Sequence, residues 1–145
     1  MQTFLPFESF ERTARVLDDR RLGKQRVEVL QILNTLHGAS RGWRNHPVVR
    51  MWRGHEEALI EYGLAIVAEW QRRGHGDTCR GKILAMSRPG RSRSRPPWLG
   101  DPAFHRSHRS NLVRKDPAHY RRHFRRVPDD LPYVWPVPAD ATVER

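Results

Sequence analysis

One cysteine is all that this chain of 145 residues contains. Cys79 therefore has no partner within the chain, which excludes an internal disulfide and a cysteine-rich zinc knuckle and points to a reducing compartment, the cytoplasm. No run of about 18 apolar residues occurs, so no membrane-spanning segment is expected. The start, MQTFLPFESF, lacks the basic stretch followed by an apolar one that export requires. Acidic residues are scarce too: 16 stand against 27 Lys and Arg, for a formal charge of +11. Such an excess draws polyanions through a long-range field and counterion release, and nucleic acid is the foremost polyanion in a cell. A basic surface kept for solubility, or an anionic protein partner, is the other reading of the charge. With 37% hydrophobic and 9% aromatic residues, a single domain with a thin core is expected.

What is present is mostly helical. Phe10, Ala14 and Leu17 recur at helical spacing over Glu8–Leu17, with Ser9 as a cap. Asp18 and Asp19 then precede RRLGKQRVEVLQILNTL, whose Leu22, Val29, Leu33 and Leu36 form an apolar stripe that Gly38 ends. A third tract runs from about Val48 to Arg73, with Leu59, Tyr62, Ile66 and Trp70 on its apolar face and Gly54 and Gly63 as points of interruption.

The segment at about residues 88–97, RPGRSRSRPP, is poor in apolar residues and is expected to be a mobile basic loop, tracking a phosphate backbone or simply solvated. From Arg88 to Arg126 the chain has 12 Lys and Arg against Asp101 and Asp116. Two helices are expected there, Pro102 to about Lys115 and Pro117–Phe124, each started by proline. The end, 136–145, is expected to be an extended tail, with Tyr133 and Trp135 before it pinned to the body.

The face of the second helix opposite its apolar stripe carries Arg21, Lys24, Gln25, Glu28 and Thr35, one carboxylate among cations. Taken alone, that pattern is an ordinary solvated face with Lys24 and Glu28 paired across a turn. Several motifs lift it above that. LDDRRLGKQRVEVL, the run from RNHP through VVRMWRG to EYGLAIVAEWQRRGH, and DPAHYRRHF occur in the order in which similar segments occur in the pyrimidine-dimer DNA glycosylases of the phage endonuclease V type. The chain resembles that family over roughly residues 1–126.

The resemblance implies an all-α single domain over residues 1–135, several helices around a basic DNA-facing groove. It implies a DNA-repair glycosylase, with or without abasic-site lyase activity, whose N-terminal amine attacks deoxyribose C1′ and forms an imine as the base leaves. An α-amine suits this chemistry, because its ordinary pKa of about 8 leaves a neutral fraction at pH 7 that a lysine lacks. On this register the Met1 α-amine is the nucleophile and Glu28 the electrostatic and acid-base residue. Arg21, Lys24, Arg26, His46, Arg109, Arg114, Tyr120, Arg121 and Arg122 are the candidate DNA contacts. Two departures from the phage form are visible. Gln2 is bulky and keeps Met1 in place, and Val27 stands where an arginine precedes the glutamate. The expected partner is double-stranded DNA carrying a damaged or modified base, with RNA left open. No cofactor is expected, and the protein is expected to be monomeric, cytoplasmic and nucleoid-associated.

Competing readings remain at several positions. Tyr120 and Phe124, four residues apart, either stack on distorted DNA or share a buried helix face. The pairs His105/His108 and His119/His123 have the spacing of metal ligands, but no carboxylate pattern completes a site. No base is placed beside Cys79 beyond nearby His75, so a plain thiol is expected. Trp52 and Trp70 fit a core, whereas Trp43 and Trp98, in loops, are candidates to meet DNA. The rival to an enzyme is a basic nucleic-acid-binding protein that keeps the fold without the activity.

Overall fold

A computed structural model of the chain describes residues 1–137. The expected 136–145 tail thus lies, from residue 138 on, outside the described residues. Among the described residues there are seven helices and no strand. Helix α1 spans Phe10–Val16, and the Ser9 hydroxyl caps it by accepting the Arg12 N–H. Helix α2, Asp19–Leu36, is capped by Asp18, which accepts the Arg21 N–H. Both caps answer N–H groups that a first turn leaves without a helical partner.

The tract expected as one helix from Val48 to Arg73 is two, α3 at Pro47–Trp52 and α4 at Glu56–Arg72. The break falls at Gly54, whose φ of 85° is left-handed and closed to most side chains. Gly63, the other expected interruption, lies inside α4 without breaking it, and its value is space. A Cβ there would sit 2.8 Å from Val29 Cγ1, just as a Cβ at Gly23 would sit 2.8 Å from the Trp70 ring. The two glycines let α2 and α4 approach closely and bury Leu22, Val29 and Leu33 against Leu59, Tyr62 and Ile66.

Helix α5, Arg80–Leu84, was not foreseeable from its short and mostly polar sequence, and a single buried residue, Ile83, roots it on α2 and α4. Helix α6 occupies Pro102–Lys115 as expected. Helix α7, Pro117–Tyr120, is shorter than expected. The chain turns after it because the Arg121 guanidinium gathers the carbonyls of Phe124, Arg125 and Val127, at 3.2, 3.2 and 2.6 Å.

Residues 88–97 have no regular structure but are tied to the body. Buried Glu57 of α4 accepts from the Ser87 hydroxyl and the Arg88 N–H and pairs with Arg91 at 2.7 Å. Arg95 lies over the Phe10 ring, 4.7 Å from its centroid. Arg88 donates to the Ala85 and Ser87 carbonyls, so three of the arginines in this loop are already engaged within the protein.

Candidate active site

The first residues of the chain form no helix, yet four helices meet on them. Thr3 Oγ1 accepts from the indole of Trp52 on α3 at 3.1 Å. Phe4 N–H donates to Gln25 Oε1 on α2 at 3.0 Å. The Tyr62 hydroxyl on α4 lies 2.7 Å from the Phe4 carbonyl and 2.6 Å from Gln25 Oε1, its one proton shared between them. On α6, His105 Nδ1 donates to the Leu5 carbonyl at 2.8 Å, and His108 Nδ1 accepts the Leu5 N–H at 3.0 Å. An extended segment without a sheet partner would otherwise bury unpaired backbone groups, so side chains take the place of a neighbouring strand. The metal-like spacing of His105 and His108 thus serves to hold both polar groups of one residue.

This clamp has a pH signature. Burial, with a smaller push from His105, holds the His108 imidazole down at about 3. The unfolded chain takes up this proton below about pH 6.5 while the folded chain refuses it, so the stabilisation is complete above about 6.5 and drains away as pH falls. At pH 5 the His108 contribution alone lowers stability by about 2 kcal/mol. His46 and His105 shift in the same direction through burial. The thermal midpoint is expected to fall clearly between pH 7 and pH 5, and an unchanged midpoint would contradict a neutral, buried His108.

Gln25 is the centre of the arrangement. It is 1% exposed, and its Nε2 donates at 2.8 Å both to the Gln2 carbonyl and to Glu28 Oε1. With its oxygen taken by Phe4 and Tyr62, every hydrogen-bonding position of the amide is used. One side chain therefore fixes both the segment that carries Met1 and the carboxylate of Glu28. Beside them opens a cavity of about 420 Å³ lined by Met1, Gln2, Glu28 and the cations Arg20, Arg21, Lys24 and Lys115, with Tyr133 and Trp135 on its wall.

The structure brings together Met1, Arg21, Lys24 and Glu28 of the expected residues, and sets His46 nearby. His46 Nδ1 caps α3 by accepting the Val48 N–H at 3.0 Å, and its ring packs on Trp135. Burial, and then the positive N-terminus, lowers its pKa. Trp43, 44% exposed, packs edge-on against the same imidazole. Trp98 instead bonds the Met51 carbonyl through its indole and packs on Trp52 and Phe104.

The other expected contacts lie outside this cavity. Tyr120 is fully buried, with its hydroxyl donating to the Asp18 carboxylate and accepting the Asp18 N–H. It is a core residue that fastens α7 to the start of α2. Burial opposes the charge on Asp18, but the bonds from Tyr120 and Arg21 outweigh it and hold the carboxyl below its usual range. Arg26 turns away from the cavity, pairs with Asp77 at 2.6 Å and lies over the Trp70 ring. Arg109 donates to the Pro6 carbonyl, Arg114 to the Asp129 carbonyl and to Asn111, and Arg121 to three carbonyls after α7. Arg122 is exposed and rests on His119. The basic lining is thus supplied by α2 and the end of α6 rather than by the arginine-rich stretch after it. Lys115 and Arg20 went unnoticed in the sequence because neither stands out among so many cations.

The family model described as pyrimidine dimer DNA glycosylase matches residues 1–82, more than half of the 145-residue chain. The chain belongs to the pyrimidine dimer DNA glycosylase family. The match covers Met1, the clamped segment, α2 and its Glu28, and it ends before the DPAHYRRHF motif in which Tyr120 proves to be core. No curated protein and no solved structure matches. Among the described residues, no helix of this glycosylase-family chain is long and apolar enough to cross a membrane, and no group of three or more His, Cys, Asp or Glu residues is arranged to hold a metal ion.

Proposed function

We propose that this protein excises a damaged pyrimidine from double-stranded DNA by attack of the Met1 α-amine on deoxyribose C1′. The observation that carries this reading is the shared cavity, in which the N-terminal residue and Glu28 stand among four cations. The neutral amine forms a bond to C1′ as the glycosidic bond breaks and its electron pair leaves with the base, which takes up a proton. Loss of the amine proton and opening of the sugar give an imine at C1′. Glu28 stabilises the cationic sugar, and its carboxylate accepts the proton lost from C2′ when the 3′ phosphate is eliminated. Hydrolysis of the imine then frees the amine. Arg20, Arg21, Lys24 and Lys115 neutralise the phosphates that flank the target nucleotide.

The decisive experiment is borohydride trapping. Ultraviolet-irradiated or abasic duplex DNA is expected to yield a covalent adduct, and peptide mapping is expected to find it on Met1. Selective N-terminal acetylation should abolish the adduct while leaving DNA binding largely intact. Trapping that survives acetylation, or binding with no adduct on either substrate, would overturn the reading in favour of a different nucleophile or of a binder without activity.

A further inference from the structure

A second cavity, of about 520 Å³, opens where α2 ends. Thr35, Asn45, Arg41, Arg44, Arg50 and Arg53 line it, so four guanidinium groups face one space. Among the described residues, none of the four has a carboxylate within ion-pair distance, whereas Arg26, Arg73 and Arg91 each do. Arg50 Nη1 is buried with no hydrogen-bond partner. Four like charges around one cavity repel, and an unpaired buried guanidinium nitrogen adds a desolvation cost. An anion with several acceptor oxygens removes both penalties, and a phosphodiester supplies them in the geometry that arginine forks accept.

The position of the cavity specifies the source of that phosphate. Thr35 follows Glu28 by seven residues, two turns along the same face of α2, or about 10 Å. The loop that carries Arg41 and Arg44 also carries Trp43, which packs on His46, which in turn packs on Trp135 of the first cavity. The two basic cavities therefore flank one ridge. Where the duplex axis runs parallel to α2, each strand advances along it by about 3.4 Å per phosphate, so the separation corresponds to about three nucleotides. We propose that the arginine cavity holds a backbone phosphodiester of the same duplex whose target nucleotide occupies the Met1–Glu28 cavity, about three nucleotides from it. This rests on the reading that the first cavity receives the target nucleotide.

The test uses the exposed pair Arg41 and Arg44 and a duplex with a stable abasic analogue at its centre. R41A/R44A is expected to bind it roughly tenfold more weakly near physiological salt, and the slope of log affinity against log salt should fall by about 2. R41K/R44K should keep the slope and lose only part of the affinity. Of two duplexes shortened to end just beyond the lesion on one side or the other, one should bind wild type and R41A/R44A equally. The rate of borohydride trapping at saturating DNA should be unchanged. That readout separates the two ideas, because absence of trapping with a reduced slope fails the catalytic reading and leaves the phosphate site standing. Equal affinity and slope for wild type and R41A/R44A would overturn the proposal. So would saturable binding of inorganic phosphate that R41A/R44A abolishes without any change in duplex affinity, which would assign the cavity to a free phosphate.

Discussion

Glu28→Gln is expected to slow base excision by about 10²- to 10⁴-fold while leaving DNA affinity equal to or slightly above that of the wild type. The two effects have opposite signs for a physical reason. Four cationic side chains line the cavity with Met1, Arg21 among them paired with Asp18, and Glu28 is the one carboxylate in the lining. Removing its charge makes the cavity more positive, which favours the phosphates in the ground state. The same change removes the group that balances positive charge developing at C1′ and that accepts a proton. The fold should tolerate the substitution, because a glutamine at this position still offers an oxygen to Gln25 Nε2, now 2.8 Å from Glu28 Oε1. A thermal midpoint close to wild type, checked alongside single-turnover excision on irradiated duplex, would show that chemistry alone was lost. Wild-type excision by Glu28→Gln would remove Glu28 from the mechanism.

The helices were largely readable because their signals are local. Ser9 and Asp18 cap as their types and positions suggest, and proline begins α3, α6 and α7. The apolar stripe of α2 also held, since Leu22, Val29 and Leu33 are buried. What the sequence did not disclose depends on contacts between distant residues. The third tract breaks at Gly54, whereas Gly63 gives room to Val29 on another helix, a contact that no local pattern carries. Arg26 lies about 140° around the helix from Arg21, and its partner there, Asp77, comes 51 residues further on. Tyr120 is claimed by Asp18, 102 residues away. The candidate site was legible in part: Met1, Arg21, Lys24 and Glu28 line one cavity, while Lys115 joins them only through the packing of α6. Arginine-rich composition was the weakest guide. In the second half, carbonyls after α7 take up Arg121 and Glu57 of α4 takes up Arg91, so a count of charges does not show which cations are free to face DNA.

Gln25→Leu is expected to cost about 3 kcal/mol of stability and, well below its lowered midpoint, to slow excision by 10²-fold or more without a matching loss of DNA affinity. Leucine fills nearly the same volume but leaves the Phe4 N–H and the Gln2 carbonyl buried with nothing to bond, while Tyr62 loses one of its two acceptors. Each orphaned buried group costs about 1–3 kcal/mol, and part of that is relieved if the N-terminal segment detaches and finds water. Detachment moves the Met1 amine, and a displacement of about 1 Å is enough to cost about 10²-fold in rate. The cations of the cavity remain on α2 and α6, so the attraction for DNA persists. A residue that merely supported the fold would lower the midpoint and leave the single-turnover rate of the folded fraction untouched. Gln25→Glu separates the two roles further. Its oxygens still accept from Phe4 and Tyr62, but it cannot donate to the Gln2 carbonyl and it sets a second carboxylate beside Glu28. The pair then shares a proton, so the excision rate should acquire a new dependence on pH near neutrality. A Gln25→Leu protein that excises at the wild-type rate once folded would show that the amine finds its place without this amide.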